Sequence, residues 1–209
     1  MVKIEVLTCD FPYQEIYDVM KAGFKEREEQ GLNFNCLSYS LDDLIKGLEN
    51  TVVLLAKDND TNKILAFQRL FFNQNYMAGG LIAVLPEYKR EGIGSLLFNK
   101  SQELAIERGC DHLLASTSVK ATSSVNWHKK NGYRIIELQS YPSTNYYSYV
   151  FRKQLVHDPK WSNPVYCKLH YWKSVIQCRM YHLENGEDRK SKWLDIYMWL
   201  RGVRREKSS

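Results

Sequence analysis

Residues 84–97 read Val-Leu-Pro-Glu-Tyr-Lys-Arg-Glu-Gly-Ile-Gly-Ser-Leu-Leu, and no other stretch constrains the fold as much. The run Leu81-Ile-Ala-Val-Leu85 before it is strand-like, and Pro86 cannot donate to a ladder, so the strand ends there. A charged turn and a glycine pair follow. Then Ile93, Leu96, Leu97, Leu104 and Ala105 fall at helical spacing, up to Gly109. A strand led through a short turn into a helix, and then into the strand-like run 112–117, requires a parallel pairing. Gly92 and Gly94 have no side chains, so a ligand can approach their backbone. Their N–H groups lie at the helix start, on the positive end of its dipole. With Lys89 and Arg90 beside them, the local chemistry is that of a cradle for a phosphate or pyrophosphate.

Spacing separates the phosphate-binding patterns this could be. A P-loop needs four residues between its glycines and then Gly-Lys-Ser/Thr, which is absent. A dinucleotide fingerprint needs Gly or Ala three residues after its second glycine, and that position is Leu97. Further on, residues 127–133 read Trp-His-Lys-Lys-Asn-Gly-Tyr, a helix end with glycine in the usual place just past it. The two segments together, in this order, resemble the GNAT acyltransferase superfamily. Pro86, Tyr88, Gly92, Gly94 and Leu97 match its acetyl-CoA motif, and Lys89 stands where Arg or Gln is usual. Trp127, Gly132 and Tyr133 match its second motif. The resemblance covers roughly residues 1–154.

The resemblance implies an α/β fold with a mixed, mostly antiparallel central sheet flanked by helices. It also implies acetyl-CoA as co-substrate, an amine on a small molecule or protein as acceptor, and no metal. Carried over residue by residue, the cofactor would meet Val84, Leu85, Lys89, Arg90, Glu91, Gly92, Ile93, Gly94 and Ser95. A backbone amide near Ala83, Val84 or Leu85 would serve the thioester oxygen. The family's usual proton donor to the leaving thiolate is a Tyr, and here that position is His128, whose imidazole titrates near neutrality. The Asn often found seven residues earlier is Ala121, with Ser123, Ser124 and Asn126 as possible substitutes. The acceptor would sit between residues 30–40 and the hydroxyl- and aromatic-rich 140–147, where Tyr147 is the candidate contact. The general base stays open among Ser116, Ser118, Tyr147 and a held water. Asp111-His112, at the far end of its strand, reads as structural.

The remaining sequence bounds these expectations. Alternation and turn chemistry predict strands at 3–8, 51–56, 64–72, 78–85, 112–117, 133–139 and 146–151, and helices at 13–29, 41–49, 92–108 and 122–131. Ser40 and Asp43 form a capping pattern. The body, residues 1–150, holds 16 Lys/Arg and 18 Asp/Glu, whereas residues 151–209 hold 13 and 6, so the net charge of +5 comes from the tail. Residues 155–209 read as a helical appendage with two apolar stripes. Val165, Leu169, Trp172 and Ile176 form one, and Trp193, Ile196, Tyr197 and Leu200 the other, to be packed on the body or on a second copy of the chain in a homodimer. Basic and aromatic residues mixed in that tail leave nucleic-acid binding as a weak alternative, and the departures at Lys89, Ala121 and His128 leave open a CoA-binding protein without turnover. No apolar run is long enough to span a membrane. The five cysteines form no Cys-x-x-Cys pair, and the first residues lack a signal peptide's apolar core, so the expected location is the cytoplasm.

Overall fold

Alternating strands and a self-made turn lay down the first half of the sheet. β1 (Val2–Leu7), β2 (Val52–Asp58), β3 (Ile64–Phe72) and β4 (Tyr76–Val84) each pair antiparallel with the next. Asp58 builds the β2–β3 turn, its carboxylate accepting from the amides of Asp60 and Thr61 and from the Thr61 hydroxyl. The computed structural model describes residues 1–140 and 146–184. Beyond β4 the chain forms a 3₁₀ turn (Pro86–Tyr88), then β5 (His112–Ser118), β6 (Arg134–Ser140) and β7 (Tyr147–Gln154). The result is one seven-stranded sheet in the order β1-β2-β3-β4-β5-β7-β6. Its only parallel pair among the described residues is β4 with β5, as the strand–helix–strand reading requires.

Helices cover both faces. α1 (Tyr13–Glu29), the short α2 (Asn35–Ser38) and α3 (Leu41–Leu48) bury Ile16, Val19, Met20, Leu44 and Leu48 against Val53, Leu55 and Phe67. On the other face α4 (Ile93–Glu107) and α5 (Thr122–Lys130) bury Ile93, Leu97, Phe98 and Val125 against Leu54, Ala66, Leu70, Leu113 and Phe151. Successive residues of β2 therefore feed opposite cores, which is why its first five residues, Val52 to Ala56, are all apolar rather than alternating. Truncating the fully buried Phe67 to Ala would cost about 3–5 kcal/mol. At α3 the predicted capping box is closed. The Ser40 hydroxyl accepts from the Asp43 amide, and the Asp43 carboxylate accepts from the Ser40 amide, an arrangement that contributes about 1 kcal/mol. The four-residue α2 was not expected, since it is too short to carry a period.

After β7 come α6 (Pro159–Ser162) and α7 (Pro164–Glu184). Asn163 starts α7 by accepting from the amides of Val165 and Tyr166. α7 lies along β6, the edge strand, with Cys167, Ser174, Val175 and Cys178 buried. Two polar contacts set its rotation: the Leu138 amide donates to the Ser174 hydroxyl at 2.8 Å, and His170 Nε2 meets Glu137 at 2.8 Å. The stripe of Val165, Leu169, Trp172 and Ile176 consequently faces outward, each residue more than half exposed. The helix therefore packs on the body through a different face from this stripe. The second stripe, Trp193 to Leu200, lies outside the described residues. Among the described residues no helix is long and apolar enough to cross a membrane.

Candidate functional site

β4 and β5 pair only from Tyr76–His112 to Gly79–Ala115 and then diverge. The split opens a cleft of about 530 Å³, within the range of small-molecule sites. A larger groove of about 710 Å³ lies between α7 and β6–β7, lined by Arg134, Tyr149, Lys168 and Tyr171. It contains none of the residues singled out by the sequence, and the split cleft contains several.

The cradle meets the cleft at Lys89 and Gly94, which line it, while Arg90, Glu91, Gly92, Ile93 and Ser95 lie beyond its lining. The Lys89 amide donates to Pro86 and the Ser95 amide to Gly92, but among the described residues the N–H groups of Arg90, Glu91, Gly92, Ile93 and Gly94 have no acceptor. Positive φ at Arg90 (70°) and Gly92 (84°) curls this run into a concavity at the start of α4. A Cβ at Gly92 or Gly94 would meet no protein atom within 4 Å, so the space before them is left for something else. A row of free amides at a helix N-terminus, facing open space, fits the pyrophosphate of a coenzyme A. Ile93 is 2 % exposed and can offer only its N–H. Lys89 lines the cleft but is already paired with Glu26 at 2.7 Å, and this holds the Glu26 carboxyl below the usual range. Glu91 is exposed and Ser95 half-buried.

The strand leading into the cradle narrows the choice of amide. The Leu85 N–H donates to the Leu65 carbonyl at 2.9 Å, which removes it from the three expected donors. Ladder alternation turns the N–H of Val84 away from β3, toward the side that β5 has left. Val84 lines the cleft. α1 approaches it through Gly23, where a Cβ would sit 2.9 Å from the Ala83 Cβ and 3.0 Å from the Val84 carbonyl. Nothing in the sequence pattern marked Gly23.

His128 lines the same cleft from α5. Its ring stacks on Phe151 at 4.7 Å and meets Trp127 and Tyr133 edge-on at 5.2 Å each. Nδ1 is 2.8 Å from the Ser124 carbonyl, which can only accept, so Nδ1 carries the proton of the neutral ring and Nε2 is bare. Burial holds the His128 pKa below its ordinary value, against the smaller opposing effect of the Ser124 carbonyl. With Nδ1 committed to Ser124 and its pKa lowered, the resting ring is neutral and Nε2 is an acceptor. Ser124 thus serves His128, while Ser123 accepts from Arg27 and Ala121 is buried at the helix start.

The opposite wall comes from α1, α2 and β7. Phe24, Arg27, Phe34, Cys36, Tyr39 and Tyr146 line it. Phe34 packs between Phe24 and Tyr146 with ring centroids 5.4 and 5.0 Å away, joining the two loops expected to hold the acceptor. The Tyr17 hydroxyl donates to the Tyr39 carbonyl and Lys21 to that of Leu37, tying α2 to α1. Tyr147 itself is not among the lining residues; strand alternation gives that place to Tyr146 and Ser148. Most of the loop before it, residues 141–145, is outside the described residues. Ser116 lines the cleft, and Ser118 does too, but its hydroxyl accepts from the Lys120 amide. Among the lining residues that went unremarked in the sequence are Gln68 and Arg69 on β3. The signal was there: they are the polar pair within Ile-Leu-Ala-Phe-Gln-Arg-Leu-Phe-Phe. His112 sits at the closed end of β5, stacked on Tyr76, as its structural reading held. Among the described residues no group of three His, Cys, Asp or Glu side chains could hold a metal.

Comparison with known proteins agrees with this geometry. The family model described as the acetyltransferase (GNAT) family matches residues 13–133. The ribosomal-protein-S18-alanine N-acetyltransferase of Escherichia coli superposes with a TM-score of 0.61 at 14 % identity, over 77 % of this chain and 97 % of its own. The PaiA N-acetyltransferase of Thermoplasma acidophilum, solved with coenzyme A, gives 0.60 at 14 %, over 73 % and 99 %. A GNAT acetyltransferase of Elizabethkingia anophelis, solved with acetyl-CoA bound, gives 0.56 at 19 %, over 74 % and 98 %. No curated protein matches the sequence. With the sheet, the split between β4 and β5 and the family match in agreement, the chain belongs to the GNAT acetyltransferase family.

Proposed function

We propose that this protein transfers an acetyl group from acetyl-CoA to an amine. The observation that carries the reading is the run of unclaimed amides from Arg90 to Gly94 adjoining a cleft that holds a buried, neutral histidine. Acetyl-CoA would supply the activated acyl carbon. The cradle amides would hold its pyrophosphate, and the N–H of Val84 would face the charge that develops on the acyl oxygen. His128 Nε2, bare at neutral pH, would take the proton the amine must lose. The imidazolium so formed is destabilised by the same burial and readily gives that proton to the departing thiolate. His128 thereby keeps the donor role expected from the sequence but has to be charged by the acceptor first. The unpaired state of all five cysteines suits a reducing cytoplasm.

Calorimetric titration with acetyl-CoA, followed by an amine screen that reads free thiol, tests the proposal. Absence of binding at millimolar acetyl-CoA would sink it. Binding without thiol release from any amine would leave a coenzyme A-binding protein instead.

A further inference from the structure

We infer that the amine acceptor carries a carboxylate and that Arg69 binds it. The inference rests on the transferase reading and names its substrate class. Arg69 lies in the middle of β3, where only it and Gln68 are polar, and lines the cleft. One of its terminal nitrogens donates to the Gly47 carbonyl at 2.9 Å, which fixes the guanidinium on the α3 side of the sheet. Its Nε is buried with no acceptor. No carboxylate lies within ion-pair distance of it among the described residues. The ionisable groups that face it are Tyr39 and Cys36, and burial pushes the Cys36 thiol up to about 12, so that thiol supplies no negative charge at neutral pH. A half-buried cation without a counter-ion is an expensive thing for a fold to keep.

Room has been left for it. A Cβ at Gly80 would lie 3.2 Å from Arg69 Nε and 3.0 Å from the Phe71 ring, which itself stacks 4.6 Å from the guanidinium carbon. Glycine at that position lets the planar group lie across β4 toward the split. The β3–β4 register shifts between Gln68 and Leu70, so β4 bulges at this point, where strands commonly re-aim their side chains. A guanidinium held flat in this way presents paired N–H donors that match a carboxylate.

The preceding residue faces elsewhere. Gln68 is only 7 % exposed, it lines the same cleft, and its carbonyl oxygen is buried without a donor. Strand alternation puts its side chain on the opposite face of β3 from the Arg69 guanidinium, so it marks a second polar position along the cleft and not a partner for the same carboxylate.

Matched pairs of amines test this: free amino acids against their carboxamides, each with acetyl-CoA, followed by thiol release. Wild-type protein should prefer the acid in kcat/KM on the order of 10- to 100-fold, the range of a hydrogen bond to a charged group, and mainly through KM. Arg69→Gln should erase the preference and leave acetyl-CoA affinity unchanged by calorimetry, while Arg69→Lys should keep part of it. If Arg69 merely props α3 through Gly47, the variants change stability and the acid-to-amide ratio stays put, which overturns the inference. So does a wild-type protein that binds acetyl-CoA and uses amides as well as acids, or that acetylates no carboxylate-bearing amine. Failure to bind acetyl-CoA at all would instead remove the transferase reading beneath it. Should Arg69→Gln not fold, the wild-type acid-to-amide ratio and Arg69→Lys decide alone.

Discussion

The two ends of the cleft are made of different material. The cradle end is backbone: five consecutive N–H groups from Arg90 to Gly94 and the N–H of Val84, with the nearby Lys89 already engaged by Glu26. The acceptor end is side chain: Arg69, Gln68, Phe34, Tyr39 and Tyr146, brought together from β3, α2 and the start of β7. A site made of backbone is specified by the few residues that shape the chain locally, here Pro86, Gly92 and Gly94. It tolerates change in every side chain around it that does not block it. A site made of side chains is specified by tertiary packing and can be retuned one residue at a time.

The largest effect should come from putting a charge into the backbone half. Gly94→Asp has free space for its side chain and an ordinary helical backbone, so the fold should survive. A carboxylate facing the pyrophosphate repels it by several kcal/mol, so acetyl-CoA affinity should fall on the order of 1000-fold with Tm nearly unchanged. Gly92→Asp adds backbone strain at φ 84°, roughly 1 kcal/mol, and should lose some stability as well. Unaltered binding by Gly94→Asp, measured calorimetrically, would show that the cradle is not the anion site.

Next comes the seam between the two halves. His128→Ala should lower kcat on the order of 100-fold, as loss of a general acid–base does, and leave acetyl-CoA affinity alone. Since Nδ1 is committed to Ser124, the working form is the neutral ring. Burial lowers its pKa, so activity should hold through neutral and alkaline pH and fall only when acid protonates Nε2, below the ordinary histidine value of about 6.5. His128→Tyr distinguishes shuttle from simple donor, because a phenol can give a proton to a thiolate but takes one poorly at pH 7. A shuttle leaves His128→Tyr nearly as slow as His128→Ala. Full recovery by Tyr, or activity that declines above pH 7, would restore the simple donor.

What the sequence revealed follows the same division. The cradle was legible because Pro86, Gly92 and Gly94 act through the chain they sit in, and α1 and the Ser40 box were legible because period and capping are local. Arg69 and Gln68 were present as an anomaly in an apolar strand, but only the register of β4 against β3 and the split from β5 place them on the cleft. Tyr147 was preferred to Tyr146 because a loop of hydroxyls and aromatics does not say which residue a strand's alternation will turn inward. For α7 the stripe of Val165, Leu169, Trp172 and Ile176 was legible, but not which face of the helix meets the body. Ser174 and His170 set the rotation, and each needs a partner on β6 that no local pattern announces.

A smaller effect is expected at the closed end of the split strands, where His112 is clear of both halves. Burial, reinforced by Arg152, lowers its pKa to about 4. A depressed folded value means that the unfolded chain takes up the proton first. The stabilising contribution is therefore complete above the unfolded value of about 6.5 and is lost as pH falls toward about 4. Tm should decline over that window, and His112→Phe, which keeps the stack on Tyr76, should flatten part of the slope. An identical slope in the variant would place the acid sensitivity elsewhere, with His128 the next group to examine.

The smallest effect sharpens the comparison most, because it asks whether any side chain matters at the cradle. Lys89 is the cradle cation that lines the cleft, and Glu26 occupies it through an exposed pair of the kind usually worth under about 1 kcal/mol. Removing Lys89 should thus cost acetyl-CoA affinity no more than about 3- to 5-fold, since the amides keep their grip and the lost charge was half neutralised. Glu26→Gln should go the other way and tighten binding slightly, because the ammonium is released toward the incoming anion. Raising the salt concentration should shrink both differences, as screening acts on exposed charges and leaves the amide contacts in place. If Lys89→Ala proves worse than Gly94→Asp, the anion is held by side chains, the contrast between the two ends of the cleft disappears, and the cradle has to be redrawn around Lys89 and Arg90.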